Sequence, residues 1–360
     1  MSPHPGHMLQ YGSLAGWPHL VARGLRAAGY NSLNVVAETG DVEDLDRRLP
    51  YDRALNLQGH SKVRKFLTRS TFGLNTARSA SLVHYHGAVI QRGQWHHMLE
   101  GRLFSECGIP MVMSFGGGDA RIVSQARALN PYFYRQADEA RDNLTRAYLR
   151  SISRYIGHVA TDYEMIGYVS DYFEHCHVFR QPVDLDRIPF NKPKLDREPV
   201  VLHVPTEPWV KGTETITAVV DALRREGHRF EFRLKRQMTQ SELFREIADC
   251  DIYVDELRCG AHGVTAVETM AAGKPTITYI RPDLVDRYPS DMPLVNANPD
   301  TFYEQLRALL IDGDLRAQIS YQSRAYAEKY HDLHIVVQDL LKIYRSAGWR
   351  DSEQIIGAES

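Results

Sequence analysis

The sequence predicts an α/β protein with two domains, each built around a parallel sheet. Strand-like apolar runs alternate with amphipathic helix-like runs along most of the chain, and a polar connector interrupts this alternation once, near the middle. The chain has 360 residues, which exceeds the size that one hydrophobic core ordinarily supports. Together these observations favour two domains over one.

In the first half, the predicted elements follow the order of a doubly wound sheet. Residues 16–29 have helical apolar spacing and end in a glycine, just before the apolar run 33–37. The remaining elements are predicted strands at 82–86 and 110–115, helices at 94–106 and 144–155, a short apolar stretch at 158–160 and the segment 178–183.

After residue 199 the alternation restarts and predicts a second sheet. Its strands are expected at 200–204, 230–234, 251–254 and 276–280, and its helices at 214–226, 241–248 and 264–272. The tail beyond residue 300 has apolar residues three and four apart, so we expect helices that pack back on the domains. The predicted units are a first domain over 1–184, a linker over 185–199, a second domain over 200–330, and a returning helix and tail over 331–360.

The composition argues against several kinds of partner. The formal net charge is −2 and no block of lysine and arginine occurs, so a nucleic-acid partner is disfavoured. No run approaches the ~20 apolar residues that span a bilayer, and the N-terminus lacks the order of a signal peptide, so we expect a cytoplasmic protein. The 4 cysteines form no CxxC pair and the 16 histidines form no HExxH, so no metal site and no cofactor are expected.

The most informative segment is GAHGVTAVETMAAGKP, residues 260–275, in which a glycine-containing loop opens a helix. Exposed N–H groups at such a start bind phosphate, so the amides near Gly263, Val264 and Thr265 are candidates for a diphosphate. Glu268, one turn further on, could accept hydrogen bonds from two ribose hydroxyls. The spacing alone leaves an ordinary capped helix as an equal alternative.

A second segment, VPTEPWVKGTETITAVVDAL, places Lys211 and Gly212 immediately before an amphipathic helix. Loops at the carboxyl ends of parallel strands line the ligand crevice of open α/β sheets, so Lys211 is placed to neutralise a phosphate. The alternative is a solvated lysine beside a helix start.

Together these segments resemble the family 4 retaining glycosyltransferases. The matching pieces are Lys211–Gly212, the pattern from Gly260 to Glu268, the TMAAGKP that follows, and the QPVD of residues 181–184. The resemblance implies the GT-B architecture, in which two Rossmann-like domains face each other across a cleft. It also implies a nucleotide-sugar donor held mainly by the second domain, with Lys211 at its phosphate and Glu268 at its ribose, and His262 beside the phosphate-binding amides.

The chain departs from the family pattern at two donor positions. The first glutamate of the family signature falls on Gly260, and an arginine that precedes the lysine falls on Thr206. Asp255 or Glu256 could contact sugar hydroxyls instead. Positive charge could come from Arg233, Lys235 or Arg236.

In the first half, residues 11–16, which include Gly12 and Gly16, resemble the glycine-bearing loop of the family, which approaches the donor phosphates and the acceptor. The segment SFGGGDARI resembles a second family loop: Asp119 and Arg121 are retained, and a histidine that reaches the sugar falls on Gly116. A simple turn is the alternative for the first of these loops.

Two nearby histidines are candidates for the missing one. His84 and His86 share one face of a predicted strand and could reach the cleft. The alternative is a pair of interior histidines with satisfied hydrogen bonds.

Residues 60–72 have the pattern of a helix that lies on a membrane surface. Val63, Phe66 and Leu67 form one apolar stripe. The basic residues around it are Lys62, Arg64, Lys65 and Arg69. The two interpretations are peripheral contact with the inner face of the membrane and an ordinary solvated face.

The sequence therefore predicts a retaining, metal-independent glycosyltransferase that uses a nucleotide-sugar as substrate. These motifs do not indicate whether the acceptor is a glycan, a lipid-linked molecule or a small molecule. The departures at Gly260, Thr206 and Gly116 favour an alternative, a GT-B-like protein that binds a nucleotide or sugar without transferring it. Epimerisation or phosphorolysis on the same architecture would need acids and bases that the sequence does not identify.

Overall fold

The computed structural model describes residues 6–37, 49–87 and 95–351. The first part of the chain forms a parallel sheet of seven strands in the order β3-β2-β1-β4-β5-β6-β7. Its strands are β1 (His7–Gly12), β2 (Ser32–Val36), β3 (Arg53–Ala54), β4 (Ala80–His86), β5 (Met111–Ser114), β6 (His158–Thr161) and β7 (His175–Val178).

The helices around this sheet begin at conventional caps. Ser61, Asp138 and Asp162 each accept a hydrogen bond from a backbone N–H of the first helical turn. The helices are α1 (Trp17–Ala27), α2 (Lys62–Ser79), α3 (Trp95–Glu106), α4 (Val123–Leu129), α5 (Glu139–Ile152) and α6 (Tyr163–Val169), and a 3₁₀ turn (Leu14–Gly16) precedes α1.

The second part forms a five-stranded parallel sheet in the order β12-β11-β10-β8-β9. Its strands are β8 (Val200–His203), β9 (Glu231–Leu234), β10 (Ile252–Val254), β11 (Thr276–Thr278) and β12 (Val295–Asn296). Its helices are α7 (Pro208–Lys211), α8 (Thr213–Arg225), α9 (Gln240–Asp249), α10 (Val264–Ala271), α11 (Pro282–Val285), α12 (Phe302–Ile311) and α13 (Gly313–Tyr330).

The last helix, α14 (Leu333–Ser346), returns to the first sheet. Its apolar face is buried in one cluster with residues of β1 and α1, which confirms the predicted packing of the C-terminal helices. Gly24 makes the close approach of α1 and α14 feasible, because a Cβ at this position would lie 2.7 Å from Cγ2 of Val337. Val183 pairs with Asp332 where the chain crosses between the domains.

The sequence-based reading missed several elements. It assigned no strand to β1, the third strand in the sheet order, because the polar Gln10 interrupts the apolar pattern; the structure buries this side chain and bonds it to Tyr344. It also placed Tyr11 and Gly12 in a loop, whereas both belong to β1. The segment before Lys211 was expected to be a loop and forms the single turn α7. In these segments, contacts with residues distant in sequence determine the secondary structure.

The carboxyl ends of the two sheets meet across a cleft. Asn130 of the first domain donates hydrogen bonds to the carbonyls of Arg258 and Cys259 in the second, and Arg281 of the second domain donates to the hydroxyl of Tyr168 in the first. Because ligands of open α/β sheets bind at this edge of the strands, the cleft is the natural place for a site.

Candidate active site

Lys211 and the start of α10 lie next to each other in the cleft, and one carboxylate connects them. The ammonium of Lys211 is 2.6 Å from Oδ1 of Asp255, and the N–H of Gly263 donates to Oδ2 of the same residue at 3.2 Å. Glu256 approaches the ammonium at 3.1 Å. Asp255 and Glu256, which the sequence suggested as sugar ligands, thus bind the lysine in this structure.

The lysine keeps its proton in this environment. Burial lowers the pKa of Lys211, but the charges of Asp255 and Glu256 outweigh that effect and hold the pKa well above its ordinary value. Burial raises the pKa of Glu256, while the lysine partly opposes the shift. The cluster therefore holds one permanent cation between two carboxylate side chains.

The start of α10 offers backbone donors to a ligand. Gly263 occupies the N-cap position and has no side chain to bond to the first-turn N–H groups, which belong to residues such as Val264 and Thr265. Gly212, with φ +81°, ends α7 and starts α8, and its tight turn directs Lys211 toward this loop. The sequence-predicted phosphate groups, Lys211 and the 263–265 amides, are thus brought together.

Glu268 lies one turn further along α10 and lines a cavity of about 140 Å³ that is partly open to solvent. Val264 lines the same cavity, and Gly16 faces them from the first domain. Ala15 and Gly16 both have left-handed backbone angles, φ +51° and +82°. Glycine adopts this region without strain, whereas at Ala15 it is strained, and a strained backbone of this kind is often found at functional sites. The cavity thus joins the predicted ribose ligand to the predicted glycine loop.

Several cavity residues were missed in the sequence. Phe244 has the spacing of a core residue of α9, and the others stand in segments without a recognisable motif. They include Trp17, Arg23, Arg187, Gln240 and Phe244.

Gly260 does not face an open donor site. Its φ is +91°, and a Cβ here would overlap Cγ of Arg281 and lie 3.0 Å from Nδ2 of Asn130. Arg281 is 2% exposed and binds the carboxylate of Asp283 with two hydrogen bonds, at 2.9 and 3.0 Å. An arginine therefore fills the space where a glutamate would stand, and the contact of Gly260 with the donor stays a prediction.

At Gly116, on the other side of the cleft, a neighbouring side chain also fills the space of a missing family residue. A Cβ at Gly116 would overlap Cδ2 of Leu14, and a Cβ at Gly87 would lie 2.6 Å from the same atom. Leu14 begins the 3₁₀ turn that ends at Gly16 and follows Gly12, the last residue of β1. An apolar side chain from that turn therefore fills the place of the histidine that the family resemblance led us to look for.

Asp119 and Arg121 lie at the cleft, but their charges are used within the first domain. Asp119 accepts the N–H groups of Gly116 and Gly117, which fixes the loop. Arg121 forms two hydrogen bonds with Glu164, at 2.9 and 2.6 Å. Both residues hold the shape of the cleft wall in this structure.

His86 lies in the interior rather than on the cleft surface, which corrects the cleft assignment. It is 1% exposed and its Nε2 is 2.8 Å from Oε1 of Gln10. His84 is bonded through one ring nitrogen to Tyr344 and through the other to Ser114, both at 2.8 Å. Burial lowers the pKa of His84 to about 3, so this ring is neutral. Both histidines are therefore interior residues, and the hydrogen bonds of His84 are satisfied, whereas Nδ1 of His86 is buried without a hydrogen-bond partner among the described residues.

Arg236 and His262 lie away from the cavity that Glu268 lines. Arg236 is exposed beyond the end of β9. His262 points behind the phosphate loop, where its ring packs 5.2 Å from the ring of Tyr288 and 6.1 Å from that of His331. Burial lowers the pKa of His262. Neither side chain reaches the cavity in this structure.

Residues 130–134 form a clasp across the cleft, which the sequence did not predict. In addition to the two hydrogen bonds of Asn130, the ring of Tyr134 packs 4.9 Å from Trp209, and Tyr132 bonds to Asp300. The aromatic cluster NPYFY was the available signal. The clasp joins the domains beside the loop that contains Gly260.

The described residues contain neither a cluster of metal-ligating side chains nor a helix that could span a membrane. No group of three His, Cys, Asp or Glu side chains in these ranges is arranged to hold a metal ion. None of the helices in the same part of the chain is long and apolar enough to cross a membrane.

No protein-family model matches the chain, and no curated protein matches its sequence. Solved structures do resemble it. Sucrose-phosphate synthase from Thermosynechococcus elongatus matches with a TM-score of 0.63 over 95% of this chain and 98% of that chain, at 16% identity. Anabaena HepE in complex with UDP-glucose matches with a TM-score of 0.63 over 95% and 100%, at 12% identity.

The catalytic domain of starch synthase IV from Arabidopsis thaliana, bound to ADP and acarbose, matches with a TM-score of 0.57 over 96% of this chain and 99% of that chain, at 10% identity. The chain has the GT-B fold. At these identities the likeness shows the GT-B architecture, with its two sheets facing across a cleft, and leaves the chemistry to be argued from the site.

Proposed function

We propose that this protein is a glycosyltransferase that moves a sugar from a nucleotide-sugar donor to an acceptor, with retention at the anomeric carbon. The observation that carries the proposal is the contact of Lys211 with Asp255, which places a permanent cation beside the helix start at Gly263. A cation and backbone N–H groups together suit a diphosphate. The solved structures with this fold that contain UDP, UDP-glucose or ADP support the same assignment.

The donor would lie along α10. Its diphosphate would contact Lys211 and the amides of residues 263–265, and its ribose hydroxyls would contact Glu268 at the edge of the cavity that this residue lines. The base would enter the part of the cavity near Phe244. Nucleotide-sugars are substrates in this scheme, and we assign no role to a metal ion or a further cofactor.

The main requirement of the reaction is to stabilise the negative charge on the leaving group. As the bond to the sugar breaks, negative charge develops on the diphosphate, and preorganised donors stabilise that charge without reorganising. Since the side chains around the cleft offer no dedicated base to this scheme, the departing phosphate oxygen would take the proton of the acceptor hydroxyl on the same face of the sugar. The acceptor's chemical class stays open among a glycan, a lipid-linked molecule and a small molecule.

The direct test is thermal unfolding of the purified protein with a panel of nucleoside diphosphates and nucleotide-sugars, because a ligand that binds the folded state raises its apparent stability. We expect a selective shift with one donor, slow hydrolysis of that donor, and loss of both in Glu268→Ala. Glu304→Ala, an exposed residue of α12, is the matched control. An unchanged response in Glu268→Ala would remove the ribose assignment.

One observation favours a second candidate, a GT-B-like protein that binds a nucleotide without transferring sugar. Arg281 and Asn130 fill the space beside Gly260, so the sugar of a donor would have to be held by other groups. The same experiment separates the two functions. Binding of a nucleotide without hydrolysis or transfer of any nucleotide-sugar would support the second.

We also propose that α2 contacts the cytoplasmic face of a membrane. Val63, Phe66 and Leu67 are 69%, 46% and 58% exposed, and basic side chains flank them. We expect Phe66→Asp to reduce co-sedimentation with vesicles containing anionic lipid. Leu144→Asp, at a leucine of α5 that is 62% exposed, is the control. Equal sedimentation of both variants and the wild type would contradict membrane contact through α2.

A further inference from the structure

One lysine lies between two buried carboxylates at the centre of the cleft. The side chains of Asp255 and Glu256 are 0% and 9% exposed, and both contact the Lys211 ammonium. With both carboxylates ionised, this cluster carries one negative charge more than positive. Such an excess is unusual for a place that is to receive a diphosphate, which is itself an anion.

The surrounding groups do not supply the missing positive charge. Arg121 acts on Glu256 from the first domain, but its guanidinium is already bound to Glu164 by two hydrogen bonds. Arg281 is bound to Asp283 in the same way.

The other titratable groups near the cluster are two buried histidines and a thiol. Burial lowers the pKa of His203 to about 4 and also lowers the pKa of His262, so both rings are neutral. Burial raises the pKa of Cys259 well above its ordinary value, so the thiol is neutral. The charge balance at Lys211 is therefore decided by Lys211, Asp255 and Glu256 themselves.

The two carboxylates differ in their contacts. Asp255 accepts the N–H of Gly263 and makes the closer contact with Lys211. The contact of Glu256 with the ammonium is longer, at 3.1 Å. A diphosphate that binds beside the lysine adds negative charge next to both carboxylates. Protonation of one carboxylate removes part of the resulting repulsion. Protonation of Glu256 disturbs fewer contacts than protonation of Asp255 would.

We propose that binding of a nucleoside diphosphate beside Lys211 takes up one proton from solvent onto the carboxylate of Glu256. The proton forms an O–H on Glu256, Asp255 remains ionised, and the ammonium is shared between Asp255 and the phosphate oxygens. This inference rests on the proposed function, since it requires the diphosphate to occupy the start of α10. Burial, which raises the pKa of Glu256, acts in the same direction.

Proton uptake has a definite consequence for affinity. Because the complex binds one proton more than the separated partners, binding weakens as pH rises between the pKa of Glu256 in the unliganded protein and its higher pKa in the complex. The slope approaches tenfold per pH unit when uptake approaches one proton. In Glu256→Gln, which cannot ionise, this slope is absent and binding at alkaline pH is tighter than in the wild type.

Isothermal titration calorimetry of the full chain with UDP and with ADP tests the inference, at about pH 8 and in buffers of different ionisation enthalpy. The dependence of the heat on the buffer gives the number of protons taken up. We expect uptake approaching one proton for the wild type and for the exposed control Glu304→Gln, and none for Glu256→Gln. Protonation changes of the ligand phosphate cancel in the comparison with the variant.

The outcomes separate this inference from the function on which it rests. Binding without uptake in the wild type, or with equal uptake in Glu256→Gln, overturns the proton assignment and leaves the nucleotide site standing. Absence of binding by both nucleotides counts against the nucleotide site and the inference together. If Glu256→Gln does not fold, a wild-type dissociation constant for UDP or ADP that stays constant between about pH 7.5 and 9 overturns the proposal.

Discussion

The Lys211 ammonium and the Asp255 carboxylate form a 2.6 Å ion pair whose second oxygen accepts the N–H of Gly263. One buried side chain therefore connects the end of α7 to the start of α10. Both groups that we assign to the diphosphate depend on it for their positions. The predictions below test this contact and the contacts that replace missing family residues.

Removing the lysine should destabilise the fold. In Lys211→Met, Asp255 and Glu256 remain buried without their cation, and breaking a buried pair from one side costs about 3–5 kcal/mol of unfolding free energy. Urea denaturation at neutral pH measures the loss. Lys342→Met, which removes an exposed ion pair of α14, is the control and should change stability by less than about 1 kcal/mol. Equal losses of unfolding free energy in both variants would show that the buried ion pair stabilises the fold no more than the exposed one.

Gly260 should reject any side chain. Gly260→Ala places a Cβ against Arg281 in a left-handed backbone, and overpacking of this kind costs about 1–3 kcal/mol. Gly260→Glu, which restores the family residue, should be at least as destabilising and should not raise transfer activity. Thermal unfolding and donor turnover give the two readouts. Gly118→Ala is the control, because a Cβ there has no atom within 4 Å; higher turnover in Gly260→Glu would contradict our description of the site.

Asn130 should hold the clasp closed. Asn130→Ala leaves the carbonyls of Arg258 and Cys259 without its two hydrogen bonds, which should cost about 1–3 kcal/mol and loosen the contact between the domains. Denaturation measures the first effect, and the radius of gyration from small-angle X-ray scattering the second. The exposed Asn143→Ala should match the wild type. An unchanged radius together with unchanged stability would remove the clasp as a restraint.

His84 should make stability depend on pH. Burial lowers its folded pKa to about 3 from an ordinary 6.5, so its contribution is complete above about pH 6.5 and is lost as pH falls toward 3, because the unfolded chain binds a proton that the folded chain does not. Between pH 6 and 4 we expect the pH slope of the unfolding free energy to be about 1.4 kcal/mol per pH unit smaller in His84→Gln than in the wild type.

The control for this slope is His334→Gln, an exposed histidine of α14. It should retain the wild-type slope in urea denaturation curves recorded across the same pH range. If His84→Gln also retained that slope, the ring would have to bind its proton in the folded state, contrary to its burial.

Much of the architecture could be predicted from local patterns. The alternation of apolar runs placed β2, β4, β5 and four of the five strands of the second sheet, β8 to β11, whereas the two-residue β12 was not predicted. β1 was not predicted because its polar residue Gln10 is buried against Tyr344 of α14, to which it donates a hydrogen bond. A partner so distant in sequence leaves no local pattern.

The candidate site divides in the same way. The loop and helix that carry Gly263 and Glu268, and the lysine at 211, are marked by glycine spacing and helix starts, which are local properties of the chain. The pairing of Lys211 with Asp255, and the clasp at Asn130, depend on residues 44 and 128 positions apart. Packing within the second domain brings Lys211 to Asp255, and packing of the two domains brings Asn130 to Arg258.

By itself, the sequence determined that this protein has two parallel α/β domains and a loop and helix suited to a diphosphate, because periodicity and turn chemistry are written into neighbouring residues. The tertiary structure alone decided that Arg281 fills the space at Gly260 and Leu14 the space at Gly116. Those replacements arise from close packing, in which a missing side chain on one segment is matched by volume supplied from another.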